Sequence, residues 1–482
     1  MPLGHGVVCC SAIVADGALM RRTVLSGLDI EPHLGAIRAE FDVPSRFPPA
    51  VEEAATQAAS SPSRAGRTDA TELALVTLDP AGSKDLDQAF LLEKVPRGMR
   101  LHYAIADVAA FVTPTGPIDT EAHHRGETLY LPDARVPLHP PTLSEGAASL
   151  LPGQERPAVL WRIDLDGDGT PMQVDVRRAV VRSRAQLDYA SLQHEGGELI
   201  GLLERFGRMR QECARDRGAV SLPEPEQEVI CDSDRWTLTY RAPLPVEDWN
   251  AEMSLLTGMS AAQLMLEAGV GLLRTMPPPE PATVASLRRS ALALGIEWAE
   301  RAEYAEVIRA LDPAKPPQAA LVRLAAVLFR GASYVAFDGT PPDATTHSAV
   351  AAPYAHATAP LRRLADRYVS ECCLAIAAGR EVPDWVREAL PALPKEMAEA
   401  DRRTHAVDRA VVDLAEALVL QSKRDQVLRG VVVEPGPKGE VQLLDPAVRA
   451  RLSGDDLPLG EEVDVRLEQL DVGRRLVSFT LA

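Results

Sequence analysis

The sequence predicts a mixed α+β protein that begins with a small helical module and ends in a small β-barrel. Three observations carry this. Strand-rich runs separated by Pro and Gly turns begin at Leu73 (LALVTLD, LHYAIADVAAFV, AVLWRIDLD). Helical text dominates from Ala251 through Gly379 and again from Lys395 to Gln421. The remainder alternates short strands with turns (VLRGVVVEP, GEVQLL, EEVDVRLEQLD, RRLVSFTLA), the pattern of a small closed barrel.

At the N-terminus, Ala18 to Leu28 and His33 to Phe41 read as two short helices, a candidate helix-turn-helix. From Glu53 to Ala70 the Ala-, Ser- and Gly-rich text reads as a linker. The expected organisation is therefore an N-terminal module and linker over residues 1–68, a catalytic-sized body over 69–420 and a barrel over 421–482. The chain has 482 residues, too many for one ordinary domain. Its 46% apolar and 25% charged residues are those of a globular protein.

No apolar run reaches the roughly 20 residues needed to span a bilayer, and no basic stretch precedes the apolar start. Cys9, Cys10, Cys213, Cys231, Cys372 and Cys373 form no CxxC pair, so zinc ribbons and redox motifs are excluded. The expectation is a cytoplasmic monomer with reduced thiols and no membrane partner. The net charge of −18 bears on solubility and leaves open a local basic channel. Only six of the 51 basic residues are lysines, which favours bidentate phosphate contacts wherever the arginines cluster. Asp164, Asp166 and Asp168 imitate a calcium loop, but Asp175 stands at its twelfth position. The segment reads instead as two strands joined by an Asp-Gly turn. No P-loop, GxSxG or GxGxxG motif is present.

The most informative stretch is Thr77-Leu78-Asp79-Pro80-Ala81-Gly82-Ser83-Lys84-Asp85-Leu86-Asp87-Gln88. Asp79 ends an apolar strand, and Asp85 and Asp87, two apart, share one face of an extended segment. The turn can fold them back towards Asp79. Convergent carboxylates repel one another unless a cation lies between them, and hard oxygen ligands suit Mg²⁺. The same residues are also compatible with a solvated acidic turn. Farther on, Ala357-Thr358-Ala359-Pro360-Leu361-Arg362-Arg363-Leu364-Ala365-Asp366 has a helix-start signature. Arg362 and Arg363 would lie in its first turn, where an anion in front of the helix would explain them. Asp366, four residues on, is placed to orient Arg362, or to form an ordinary surface salt bridge.

These motifs resemble the ribonuclease II (RNB) family. TLDPAGSKDLDQAF resembles its aspartate signature. HYAIADVAAFV, RGETLYLPDARVPLHPPTLSEGAASLLPGQERPAVLW, VRRAVVRSRAQLDYA, RGAVSLPEPE, EDWNAEMSLLTGMSAAQLM and PYAHATAPLRRLADRYV then follow in the family's order. The C-terminal barrel looks like an S1-type OB-fold, and the likeness covers roughly residues 70 to 482. It implies a 3′→5′ exoribonuclease that hydrolyses single-stranded RNA to nucleoside 5′-monophosphates with Mg²⁺. Asp79, Asp85 and Asp87 match the first three aspartates of the metal motif. Gln88 replaces the fourth and could still ligate through its carbonyl. The alternative that Gln88 raises is an RNA-binding protein with a degenerate site.

Arg362 matches the arginine that stabilises charge on the scissile phosphate, and Arg363 is expected to contact phosphate. Tyr130 matches an aromatic that stacks on RNA bases, and Glu252 a glutamate on the helix bordering the RNA path, where Gly258 replaces the usual Asn. His347, Tyr354 and His356, upstream of the arginine helix, are candidate sugar or base contacts. The family's paired cold-shock barrels need more residues than precede the catalytic body here. A more open channel mouth admitting partly structured RNA is the corresponding expectation.

Overall fold

Alternation of apolar residues to two faces builds the central sheet. The computed structural model describes residues 23–25, 30–223, 226–232, 235–241, 243–436 and 439–482. Its seven strands run in the order Ala185–Asp188, Val76–Asp79, Gln88–Val95, Gly98–Ala106, Glu155–Leu165, Pro171–Arg182, Thr68–Asp69. The two outermost pairings are parallel and the others antiparallel. Leu101, Tyr103, Ile105, Val159 and Trp161 face one core, which is closed by the helices Pro245–Ala268 and Leu364–Ala377. Ala104, Ala106, Ala158 and Leu160 face another, closed by Val51 and Ala55 of the helix Pro49–Ser60. Burying one such large apolar side chain contributes about 1.5–3 kcal/mol, so a sheet covered on both faces is a rigid platform. The Asp-Gly turn after Leu165 joins two strands as expected, and Asp166 accepts the Asp168 and Thr170 N–H groups at 3.0 and 2.8 Å.

Three expectations need correction. Within the predicted helix Ala18–Leu28, residues Thr23–Leu25 form a strand paired with Arg235–Arg241, and the rest lies outside the described residues. The candidate helix-turn-helix therefore does not form, although Glu31–Glu40 is helical. The predicted linker starts late, because its Ala-rich text continues the helix Pro49–Ser60. Ala is the strongest helix former, and Val51 and Ala55 have a core to enter. The helical stretch from Ala251 is interrupted by the paired strands Val270–Thr275 and Ser333–Asp338. Gly269 (φ +75°) ends the preceding helix in the left-handed conformation, which turns the chain into the first of them.

The long helix Leu393–Leu420 follows the sequence pattern closely. Val407, Val411, Leu414 and Leu418 form its apolar stripe. They share one core with Leu34, Ile37 and the barrel residues Val432, Val441, Val465 and Phe479. The barrel is closed and five-stranded, in the order Leu428–Glu434, Gly439–Leu443, Arg449–Ser453, Leu476–Leu481, Glu462–Asp471. Residues 426–482 carry ten acidic residues against seven basic ones. Their one aromatic, Phe479, is fully buried.

Asp408, on the same long helix, is pushed up to about 8 by burial and by the nearby charge of Glu127. Its folded form keeps a proton that the unfolded chain releases near pH 4, so it lowers stability progressively as pH rises from about 4 to 8. Asp408→Asn should therefore gain thermal stability over the parent protein at pH 8 and little at pH 5. A stability difference that does not vary with pH would refute this.

Candidate active site

The aspartate loop is held from both sides. Gly82 turns the chain (φ +82°). Ser149 Oγ accepts the Leu86 N–H at 3.0 Å and donates to the Lys84 carbonyl at 2.6 Å. Gln186 Nε2 donates to the Ser83 carbonyl at 2.7 Å. Leu86 drops into the core, leaving Asp85 and Asp87 to flank it as their spacing predicts.

Asp87 is 3% exposed. It accepts the Leu361 N–H at 2.7 Å on Oδ1, and its Oδ2 lies 3.3 Å from Arg362 Nε. Burial pushes its carboxyl well above the usual range, against the opposing charge of Arg362 and the Leu361 N–H. Burial also pushes Asp79 up to about 7; Arg362 opposes the shift and Asp85 adds to it. Asp85 is turned aside, accepting the Tyr130 hydroxyl at 2.9 Å on Oδ2 and a guanidinium N–H of Arg135 on Oδ1. The three aspartates are thus electrostatic neighbours but not a closed cage. Among the described residues no three His, Cys, Asp or Glu side chains form a ready-made metal site.

Such an open arrangement still fits a hard divalent ion. Mg²⁺ is held by one or two carboxylates and completes its shell with water and substrate phosphate. A buried and a half-buried carboxylate that resist ionisation on their own are groups a cation would stabilise. Gln88 holds its amide in place by donating from Nε2 to the Thr358 carbonyl, which leaves its uncharged Oε1 as the atom that could ligate. Gln88→Asp removes that donor and adds charge. It should tighten divalent-ion binding several-fold while costing about 1 kcal/mol of stability. Calorimetric metal titration and thermal melts together check this, and unchanged metal affinity would count against it.

The arginine segment differs from the sequence reading. The helix begins at Leu364, so Arg362 and Arg363 precede it. Arg363 is extended and pairs with Glu127, while the Arg362 carbonyl accepts the Thr128 N–H at 2.9 Å. The Leu364 N–H is taken by the Gly126 carbonyl at 3.0 Å and is not free for an anion. Asp366, fully buried, binds Arg363 through Nε at 3.0 Å and Nη2 at 2.9 Å, and accepts the Ala359 N–H at 2.7 Å. It therefore orients Arg363, not Arg362, because the chain turns at Ala359 instead of continuing helically. The Arg363 fork is committed to Asp366, which argues against its predicted phosphate contact. Arg362, with its side chain 41% exposed beside Asp87, is the guanidinium left partly open to solvent.

The other candidates separate. Tyr130 reaches the site, with its hydroxyl on Asp85. Tyr354 is buried and lies edge-on to His347 and His356, at 6.0 and 5.5 Å between ring centres. A Cβ on Gly258 would sit 2.3 Å from Tyr354 Cε2, so the missing side chain there is what admits the ring. His356 Nδ1 is 2.6 Å from the Tyr334 hydroxyl, and His347 is buried. Tyr354 and His356 lie near Arg363, with Tyr354 and His347 buried and His356 half-buried. Burial drives both histidines below their usual range, His347 to about 4, so neither is a proton donor near neutral pH.

Glu252 is also buried, pushed up to about 7 by burial against the charges of Arg210 and Arg217. It faces the helix Glu198–Asp216. The stripe Asn250–Ser254, at i and i+4, instead turns towards the aspartates. Asn250 Nδ2 donates to the Tyr189 hydroxyl at 3.1 Å, and Ser254 Oγ is 2.8 Å from the Tyr103 hydroxyl. Both tyrosines lie within the field of Asp79 and Arg362. Sequence reasoning missed these four, and Arg135 as well. Alternation of Tyr103 along its strand was the one available signal.

Residues 67–377 match the RNB domain. The chain belongs to the RNB family. Residues 426–482 match the C-terminal S1 domain of RNase II-type exonucleases, in agreement with the closed barrel. Among curated relatives, ribonuclease R of Escherichia coli is 26% identical over 91% of this chain and 61% of its own length. The chain thus spans about three fifths of that relative's length. The structure of Mycoplasma genitalium RNase R in complex with ribose-methylated single-stranded RNA superposes with a TM-score of 0.82. It is 20% identical and covers 93% of this chain and 78% of its own. Yeast Ssd1, a pseudonuclease, shares the RNB fold with a TM-score of 0.69 at 17% identity, covering 93% of this chain and 57% of its own.

Proposed function

We propose that this chain is a 3′→5′ hydrolytic exoribonuclease that shortens single-stranded RNA to nucleoside 5′-monophosphates with Mg²⁺. The observation that carries the reading is the pairing of buried Asp87 with Arg362 beside Asp79 and Asp85, within an RNB domain. That arrangement has the parts of phosphodiester hydrolysis. Asp79 and Asp87 would hold the ion, with Asp85 beside them. When bound, a divalent ion polarises the scissile phosphate and lowers the pKa of attacking water. Arg362, partly exposed beside Asp87, would offset the negative charge that grows on the phosphate. The Leu361 N–H fixes Asp87, so the acid and the guanidinium keep their spacing between turnovers. Tyr189, Asn250 and Ser254 supply hydroxyl and amide groups suited to a ribose 2′-hydroxyl, the group that separates RNA from DNA, with the buried Tyr103 hydroxyl holding Ser254. Tyr130 borders the same cleft and is the candidate stacking ring.

The barrel joins this reading only through its charged residues, since it offers no aromatic platform. No helix among the described residues is long and apolar enough to cross a membrane. A monomer acting in the cytoplasm, and passage through a short duplex from a 3′ overhang, belong to the same proposal. The test is incubation of a 5′-labelled oligoribonucleotide with the protein and Mg²⁺. Laddering from the 3′ end with mononucleotide release, stopped by chelator, is expected. Binding without cleavage would instead establish a degenerate site.

A further inference from the structure

Arg135 is the unexplained charge in this cleft. It lies on the short strand Arg135–Val136, directly across from Tyr130 of the strand Leu129–Tyr130. That register brings both side chains to Asp85, one on each carboxylate oxygen. Arg135 Nη2 is also 2.6 Å from Glu145 Oε1. The guanidinium thus spans two carboxylates, with its side chain 22% exposed. A cation between two carboxylates does the electrostatic work that a bound metal ion would otherwise do.

The formal charge decides how much metal the cleft can take. Asp79, Asp85, Asp87 and Glu145 carry four negative charges when ionised, and Arg135 and Arg362 carry two positive ones. The remainder is −2, which a single divalent ion neutralises. A second ion would leave +2 before any phosphate arrived, and it would meet Asp85 with Arg135 already on it. Gln88, whose amide is tied to the Thr358 carbonyl, adds no charge to attract it.

We propose that Arg135 takes the place of a second cation at Asp85, so that this cleft binds one divalent ion rather than two. The inference rests on the nuclease reading of the same site. It makes Arg135 a positioning residue that fixes Asp85 and sets the metal count, without itself touching the ion.

The test counts Mn²⁺ bound to the full chain, by calorimetry and by the electron paramagnetic resonance signal of the free ion. The parent protein should bind one ion tightly. Arg135→Gln keeps an amide donor for Asp85 but removes the charge, and should bind a second ion at least tenfold more tightly than the parent does. Glu145→Gln, which removes a negative charge, should still bind one. Two tight ions on the parent protein, or an Arg135→Gln protein with unchanged count and affinity, would overturn the inference. The count on the parent decides alone if that variant does not fold. If the parent binds one ion and releases mononucleotides while Arg135→Gln changes nothing, the inference fails and the nuclease reading stands. If the parent binds no ion and cleaves nothing, both fail.

Discussion

Asp87→Asn should abolish RNA hydrolysis, by about 1,000-fold or more, while leaving the protein folded and able to bind RNA. The expected loss corresponds to about 4 kcal/mol of transition-state stabilisation. An asparagine oxygen can still accept the Leu361 N–H that Asp87 accepts at 2.7 Å, so the buried backbone group keeps its partner. What disappears is the negative charge between Arg362 and the metal position. Single-turnover rates, a thermal melt and RNA affinity on the same preparation check the claim. A mutant that retains a tenth of the parent rate would show that Asp87 is not part of the chemistry.

The two adjacent arginines should fail in different ways. Arg362→Ala removes the half-exposed guanidinium beside Asp87, and should lower kcat by about 100–1,000-fold with little change in melting temperature. Arg363→Ala strips the bidentate partner from Asp366, a carboxylate with no exposure at all, and should cost about 3–5 kcal/mol of stability. Lysine at 362 is not a conservative repair, because an ammonium cannot present the planar fork. Denaturant unfolding beside steady-state kinetics separates the cases. If Arg363→Ala melts like the parent yet is inactive, the roles assigned to the pair are reversed.

Local text carried the parts of this site that depend on local geometry. Asp85 and Asp87 flank Leu86 because a two-residue period needs only an extended segment, and Asp79 ends its strand as its apolar run indicates. The barrel and the long helix Leu393–Leu420 were legible for the same reason, since period and turn chemistry are read within a few residues. The failures involve choices made across the fold. Glu252 and Ser254 lie two residues apart on a helix that is apolar almost all round, so no periodicity says which face meets the cleft. The start of the helix at Leu364 is decided by a carbonyl at Gly126, far away in sequence. Arg135 meets Asp85 across fifty residues, and nothing near either one announces the pair.

The C-terminal barrel has a consequence for the kind of contact it can make. With its single ring, Phe479, turned inward, it presents no exposed ring for a flat partner to lie against, and whatever it meets is met through charge and backbone alone.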